Sequence, residues 1–473
     1  MLQKIWNRLP LIYAFAVIIL IIAPLLYISR YNHAGADDFE VSGLLMHTQS
    51  IWQTAMALMK RSAAYTGVFA QALFQPSDVQ GIGFRLVPIC IILAYLLTFY
   101  GGIAALLPQQ STFQERLLIA VSCFAIFFRL MESPMQTIFW SMSAIAYASS
   151  YVLAVGFATA LVSYLCTSSE SSVPSFVSYG VVGIAMLMAM GVQPVVSVLT
   201  VGLCIGVWLY ALLRSYRKEK RLFLGLLVLM ALLALAYLLT APSTARRLSE
   251  GGVSNLAQLR LLSSAIFAFN MYRDYLAKWL SDSLLMLSSV VFVLWLVQKR
   301  IVPRLPIPIW MPFAATWFVG FLWFWIPKLL VSYIAARHMD MALVFFMTGW
   351  GVSLFYLAAL VGQRCAVAEK NTWLLNLVFA AMLLTLLLPQ YVSNMRQVWI
   401  DIDSGSAAQH DAEIKRRYAV MRLAGANELI ALDTLQAMPL TIYKGDLIAD
   451  TADWSNRAFA HYFQRRTVTV KSR

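Results

Sequence analysis

Charge is scarce in this chain. Asp, Glu, Lys and Arg make up 12% of the 473 residues, while 60% are hydrophobic. A soluble domain carries about twice that charge, so a water-soluble globular fold is excluded and an all-α polytopic membrane protein is expected. No ionisable residue falls in the middle of a long apolar run; Arg85, Arg129, Asp282 and Asp340 all lie near run ends. Coupled carriers bind their ion at depth, which argues against proton- or sodium-coupled transport and leaves an uncoupled lipid flippase open. Cysteine is also sparse. Cys90, Cys123, Cys166, Cys204 and Cys365 sit in or beside apolar runs without a CxxC pair, and read as small hydrophobes, not metal or disulfide ligands. There is no nucleotide-binding motif, internal repeat or low-complexity segment. The net charge of +14 does not imply nucleic acid, because basic residues of membrane proteins gather in short loops.

A bilayer core takes about 20 apolar residues per helix. On that measure the sequence holds about eleven spans, at 10–29, 84–107, 116–131, 138–165, 176–191, 194–213, 221–240, 281–298, 307–327, 339–361 and 371–390. The first run follows Lys4 and Arg8 and precedes "AGA" at 34–36, which looks like a signal-peptidase site. The run is longer than a signal-peptide core, so an uncleaved span with its N-terminus inside is expected. The loops "RSYRKEKR" (214–221), "QKRIVPR" (298–304) and "QRCAVAEK" (363–370) are then internal, short and basic, as the positive-inside rule requires; the loop 166–175 is neutral. Segments 30–83, 132–137, 241–280, 328–338 and 391–473 are external. The chain divides into a transmembrane domain, 1–390, and a small external α/β segment, 391–473. There 406–424 suits a helix, while "ELIALDTL", "LTIY" and "TVTVK" suit strands.

Within loop 30–83, Ile51, Ala55, Leu58 and Met59 recur at helical spacing. They predict an amphipathic juxtamembrane helix, lying on the bilayer or packed on the other spans. Lys60 and Arg61 follow, where they can meet headgroup phosphates.

The polar residues of interest collect at the outer ends of the runs. Asp37 and Asp38 follow the first run, Glu132 the third, and Arg246 and Arg247 the seventh, while Arg337, His338 and Asp340 precede the tenth. Paired acids can deprotonate a hydroxyl or hold a metal, and arginine clamps phosphate through its planar fork. Each has a plainer reading. The aspartates can cap a helix starting near Phe39, Glu132 can pair with Arg129, and the arginines can snorkel to headgroups. His33, four residues before Asp37, gives a weak metal signal. Trp140 and Tyr147 are seven apart on one helix face and suit an aromatic belt, core packing or sugar stacking.

In combination these features resemble the C-type (GT-C fold) membrane glycosyltransferases, whose shared mark is an acidic residue or pair just after the first span, here "ADDF" (36–39). Within that group the chain is most similar to an uncharacterised bacterial glycosyltransferase-like family. "ESPMQTIFW" supplies Glu132 and Phe139–Trp140, "APSTARR" supplies Ala241, Pro242 and Arg247, and "DWSNRAFAHYF" supplies Trp454, Asn456, Tyr462 and Phe463. The chain departs from the family pattern at Tyr65 and Val68, at Ser243, and in "GVQP" (191–194). The resemblance implies a polyprenyl-phosphate-linked sugar donor and a glycan or glycolipid acceptor. Its setting is the external face of the bacterial cytoplasmic membrane, among membrane lipids and without nucleic acid. It implies Asp37 or Asp38 as general base, Arg247 with Arg246 or Arg337 on the departing phosphate, and Glu132 and His338 on substrate hydroxyls, with Trp140, Tyr147, Lys60 and Arg61 lining the substrate site. No cofactor is indicated with certainty, and a divalent cation is left open. The rivals are a lipid-linked glycan flippase, a polymerase or ligase using diphosphate-linked donors, and a membrane assembly protein without catalysis.

Overall fold

The computed structural model describes residues 8–107, 111–166, 176–250, 261–300, 302–303, 307–331, 333–364, 372–387 and 393–471. Loops 167–175 and 365–371, the latter with Cys365, and the side chain of Arg247 lie outside the described residues. In chain order the helices are α1 (Leu9–Ser29), α2 (Ala36–Thr48), α3 (Ile51–Met59), α4 (Tyr65–Phe74), α5 (Gly83–Leu106), α6 (Phe113–Leu130), α7 (Ser141–Cys166), α8 (Phe176–Met190), α9 (Pro194–Leu213) and α10 (Lys218–Thr240). There follow α11 (Pro242–Glu250), α12 (Leu261–Leu280), α13 (Ser283–Gln298), α14 (Trp310–Val331), α15 (Ala336–Arg364), α16 (Thr372–Leu387), α17 (Ser393–Asp403) and α18 (Ser406–Leu423). A strand β1 (Leu429–Leu432), helix α19 (Trp454–Tyr462) and strand β2 (Thr467–Val470) complete the order.

Helices stand at all eleven predicted runs, yet among the described residues seven are long and apolar enough to cross a membrane: α1, α5, α7, α9, α10, α14 and α15. The apolar helices within α8 and α16 are shorter, and α6 carries Glu115, Arg116 and Arg129. The expected external segment 241–280 is largely helical. Its second half is α12, which forms with α13 an eighth apolar stretch bent by 68°. Arg273, Asp274 and Lys278 interrupt the apolar run there, but Ser264, Ala268, Tyr272 and Trp279 share a buried face that packs on α14.

Helix α1 contains a π-helical turn, Ile18–Ile22, just before Pro24, where the wider turn accommodates a residue without an N–H. It packs on α6 and α16, while α7 packs on α4, α5 and α8, and α15 on α13 and α14. The large buried rings Tyr95, Phe124, Phe127, Tyr151, Trp279 and Trp323 lie in this one core.

The C-terminal segment joins the bundle more closely than expected. Helix α17 docks on α1 and α6, and Asn394 donates to the carbonyls of Phe128 and Met131 at 2.9 and 2.8 Å. Beyond it, α18, α19 and the parallel pair β1–β2 form an α/β lobe. The "LTIY" stretch, 440–443, is turn and coil instead of strand. Phe39 of α2 is part of the lobe's core, 4.8 Å from Phe459, so the lobe folds onto the start of the first long loop.

Asp37 and the basic loops occupy opposite ends of the same helices. Asn32 donates to the Phe84 carbonyl at the start of α5, and Met142 at the start of α7 donates to Asp38. At the far ends, Lys299 pairs with Glu115 at 3.0 Å, and Lys220 lies 5.4 Å from the Tyr164 ring centroid. The 26 residues of α7 separate the two ends by about 39 Å at 1.5 Å per residue.

Candidate functional site

The site is built where the chain turns from α1 into α2. Asn32 is buried and donates to the carbonyls of Phe84 (2.8 Å) and Phe139 (3.0 Å). It fixes the end of α1 against α5 and against a π-helical turn, Met135–Phe139, that leads into α7. Extended Gly35 then caps α2, placing Asp37 and Asp38 in its first turn.

The two aspartates have different surroundings. Asp38 is fully buried. It accepts from the backbone N–H of Gly35 (2.9 Å) and Met142 (2.9 Å) and from the Gln75 amide (3.2 Å), with Lys444 Nζ 3.9 Å from its other side. Burial raises its carboxyl, against Lys444 and these donors. All three hydrogen-bond partners are donors, an arrangement that suits a carboxylate. Asp37 is half-buried, and among the described residues no hydrogen bond or ion pair reaches its carboxyl. Burial first, and then the Asp38 charge, push it up to about 6, with Arg337 acting in the opposite direction and Glu40 in the same one. One aspartate caps, and its neighbour is left with a proton to exchange near neutral pH.

Arg337 enters from the first turn of α15, 5.8 Å from the Tyr147 ring centroid. His338 Nε2 lies 2.9 Å from the Tyr147 hydroxyl, and its Nδ1 accepts from the Ala335 N–H at 3.1 Å. Tyr147 is buried against Trp323 and His338, which closes its ring face to stacking on a sugar. Several buried polar atoms near this corner have no partner among the described residues: Gln75 Oε1, Gln136 Oε1, Trp140 Nε1, Ser141 Oγ, Ser143 Oγ and Arg337 Nε. Ser141 and Ser143 flank Met142, whose N–H binds Asp38. Unpaired buried donors and acceptors are rare in finished folds, and others, such as Tyr13 Oη and Tyr164 Oη, stand elsewhere in the bundle.

Glu132 does not pair with Arg129. Arg129 meets Asp282 at 2.9 Å, both buried, while Glu132 pairs with the exposed Lys278. Glu132 instead offers its backbone: its N–H and that of Ser133 donate to Asp340 at 2.5 and 3.2 Å, beside the Thr137 hydroxyl at 2.6 Å. Asp340 is thereby the clamp of the turn that carries Trp140.

The remaining predicted residues are dispersed. Lys60 and Arg61 are exposed after α3, and Arg61 pairs with Glu40. Ala55 and Leu58 pack against Val41, Val68 and Ala72, while Ile51, Trp52 and Met56 are exposed, so this helix packs on the protein by part of its apolar surface and leaves the rest uncovered. Arg246 is exposed on α11. His33 bonds Asp411 at 2.8 Å, not Asp37. Burial lowers the His33 imidazole. Burial would raise Asp411, but hydrogen bonds from His33 and Lys415 hold it at about 2. Among the described residues no group of three or more His, Cys, Asp or Glu could hold a metal ion.

Sequence reasoning missed Gln75, Met142 and above all Lys444, a lone lysine in a coil with no motif around it. A cavity of about 60 Å³ between loop and lobe is lined by His33, Gly35, Phe39, His410, Arg417 and Lys444. A larger one, of about 510 Å³, reaches Gln75 from Leu45, Gln49, Ile51 and Leu73.

Comparison with protein-family models, with curated proteins and with solved structures finds no match to this chain.

Proposed function

We propose that the chain is a membrane glycosyltransferase. It moves a sugar from a polyprenyl-phosphate donor to a glycan or lipid-linked acceptor at the external face of a bacterial cytoplasmic membrane, through about eleven spans with the N-terminus inside. The observation that carries this reading is Asp37: half-buried, unbonded among the described residues, held at about 6 and opposed by Arg337. A base poised near neutrality suits removal of a proton from a sugar hydroxyl. The acceptor oxygen bonds the anomeric carbon, the bond from that carbon to the phosphate oxygen breaks, and the proton goes to Asp37. The lipid phosphate leaves with its charge beside Arg337, a planar donor suited to phosphate.

Other predicted roles become narrower. Both nitrogens of His338 are engaged, so it holds Tyr147 and does not reach for a hydroxyl. Arg246 and Arg247, on α11, remain as contacts for the departing phosphate, and Glu132 as a contact for substrate hydroxyls. The separation of Asp37 from the basic loops of residues 214–221 and 298–304 supports an external site, since basic loops stay inside.

The test is transfer from a polyprenyl-phosphate-sugar by the purified chain in vesicles. Asp37→Asn is expected to lower transfer about 100-fold or more. Full transfer by this variant would overturn the assignment of the base.

A further inference from the structure

Lys444 is the least expected residue at the site. Its side chain is 5% exposed although it comes from a coil of the C-terminal lobe. The ammonium donates to Asn32 Oδ1 at 3.0 Å and to the His33 carbonyl, and it lies 3.9 Å from Asp38 Oδ2. Its aliphatic stem crosses the face of Gly35: a Cβ there would stand 2.6 Å from Lys444 Cδ and 2.9 Å from its Cβ. Glycine at the cap of α2 therefore opens the path by which the lobe's lysine reaches the aspartates.

The lobe holds that lysine from both sides. Thr441 N–H donates to Asp401 at 2.8 Å, and Asp446 accepts from Arg417 and from Leu435 N–H. Gly445, at φ +96, turns the chain between the two anchors. Burying an ammonium is costly unless it is paired, and Asp38 is the acid its ammonium approaches within 4 Å among the described residues. Resting on the reading of Asp37 as the base, we propose that Lys444 is a positioning residue for the aspartate pair: its ammonium keeps Asp38 ionised on its three donors and so fixes the charge against which Asp37 works.

The groups facing each member are few. Asp37 faces Asp38, Glu40 and Arg337. Lys444 faces Asp38, and its charge acts on His33 and His410. Removing the Lys444 charge would leave a buried carboxylate uncompensated. Asp38 would then take up a proton, and Asp37 would lose the neighbouring charge that raises it.

The experiment is carbodiimide labelling of the full chain in detergent. Dicyclohexylcarbodiimide modifies protonated carboxyls, and the label on Asp37, resolved from any label on Asp38 by fragment-ion mass spectrometry, is quantified across pH. The wild-type midpoint is expected near 6. Lys444→Met and Asp38→Asn should each lower it by about one unit, Lys444→Arg should restore it, and the double variant should match either single one. A Lys444→Met shift that persists in the Asp38→Asn background would overturn the proposal, because a merely structural lysine would act without Asp38. An unmoved midpoint in Asp38→Asn would also overturn it, and needs no change at Lys444. The labelling reads the aspartates directly, so loss of the transferase reading through an active Asp37→Asn enzyme is a separate result.

Discussion

Tyr147 and His338 are joined by a 2.9 Å hydrogen bond between α7 and α15, and Arg337 lies against the same tyrosine ring. Because His338 Nδ1 accepts from Ala335 N–H, hydrogen-bond geometry assigns the proton to Nε2, which donates to the tyrosine oxygen. The tyrosine is thus a bracket that ties the start of α15, and with it Arg337, to α7. Tyr147→Phe and His338→Ala are expected to lower transfer by similar factors, about tenfold, with the double variant no worse than the poorer single one. Groups acting as one unit behave this way; a double-mutant cycle on transfer rate checks it.

Transfer should follow a bell-shaped pH profile. The acid limb comes from Asp37, inactive as a base below about 6 and competent above it. The alkaline limb comes from Lys444, which burial lowers to about 8; its deprotonation above that pH removes the charge that supports Asp38. Rates measured between pH 4.5 and 9.5 locate both limbs, and Asp38→Asn should erase the alkaline one.

Asp37 should weaken the fold it serves. Its carboxyl is raised in the folded state, so the stability it contributes is present below the unfolded value of 3.8 and is lost as pH rises through about 6. Asp37→Asn is therefore expected to leave Tm unchanged near pH 4 and to stabilise the protein at pH 8. The full shift corresponds to roughly 2–3 kcal/mol at 1.36 kcal/mol per unit. Thermal melts in detergent at the two pH values check the sign. A variant that is inactive yet more stable would separate function from folding.

Two distant stretches noted in the sequence, 65–68 and 191–194, touch each other. Thr66 and Gly67 N–H donate to the Gly191 carbonyl at 2.9 and 3.1 Å, and Tyr65 hydroxyl donates to Leu187 O. A Cβ on Gly67 would stand 2.7 Å from the Val192 carbonyl oxygen, and one on Gly191 would stand 2.2 Å from the Tyr65 ring. Gly67→Ala should cost about 1–3 kcal/mol, because a backbone oxygen cannot swing aside, and thermal unfolding measures it.

The helices were readable because apolar runs and their lengths are written along the chain, and the aspartate pair was readable because two acids beside a span stand out. The division of labour between Asp37 and Asp38 was not, since it depends on Met142, Gln75 and Lys444, which approach Asp38 from distant parts of the chain. Helical spacing suggested Arg129 with Glu132, but Asp282 at the start of α13 takes the arginine, a contact set by packing rather than by periodicity. Helix α12 was hidden by Arg273, Asp274 and Lys278 on its exposed side. The tail strands were legible where apolar residues alternate, at 429–432 and 467–470, and misread at 440–443, where Pro439 and Gly445 flank a turn.

The pairing of β1 with β2 bears on the order of events during synthesis. The membrane helices can insert one by one, but the lobe that carries Lys444 closes only when Thr467–Val470 has lined up beside Leu429–Leu432. Until the lobe has formed, Asp38 lacks its ammonium partner. The conspicuous acids are thus made long before the lysine that faces one of them, and the surroundings of Asp38 are completed only by the lobe.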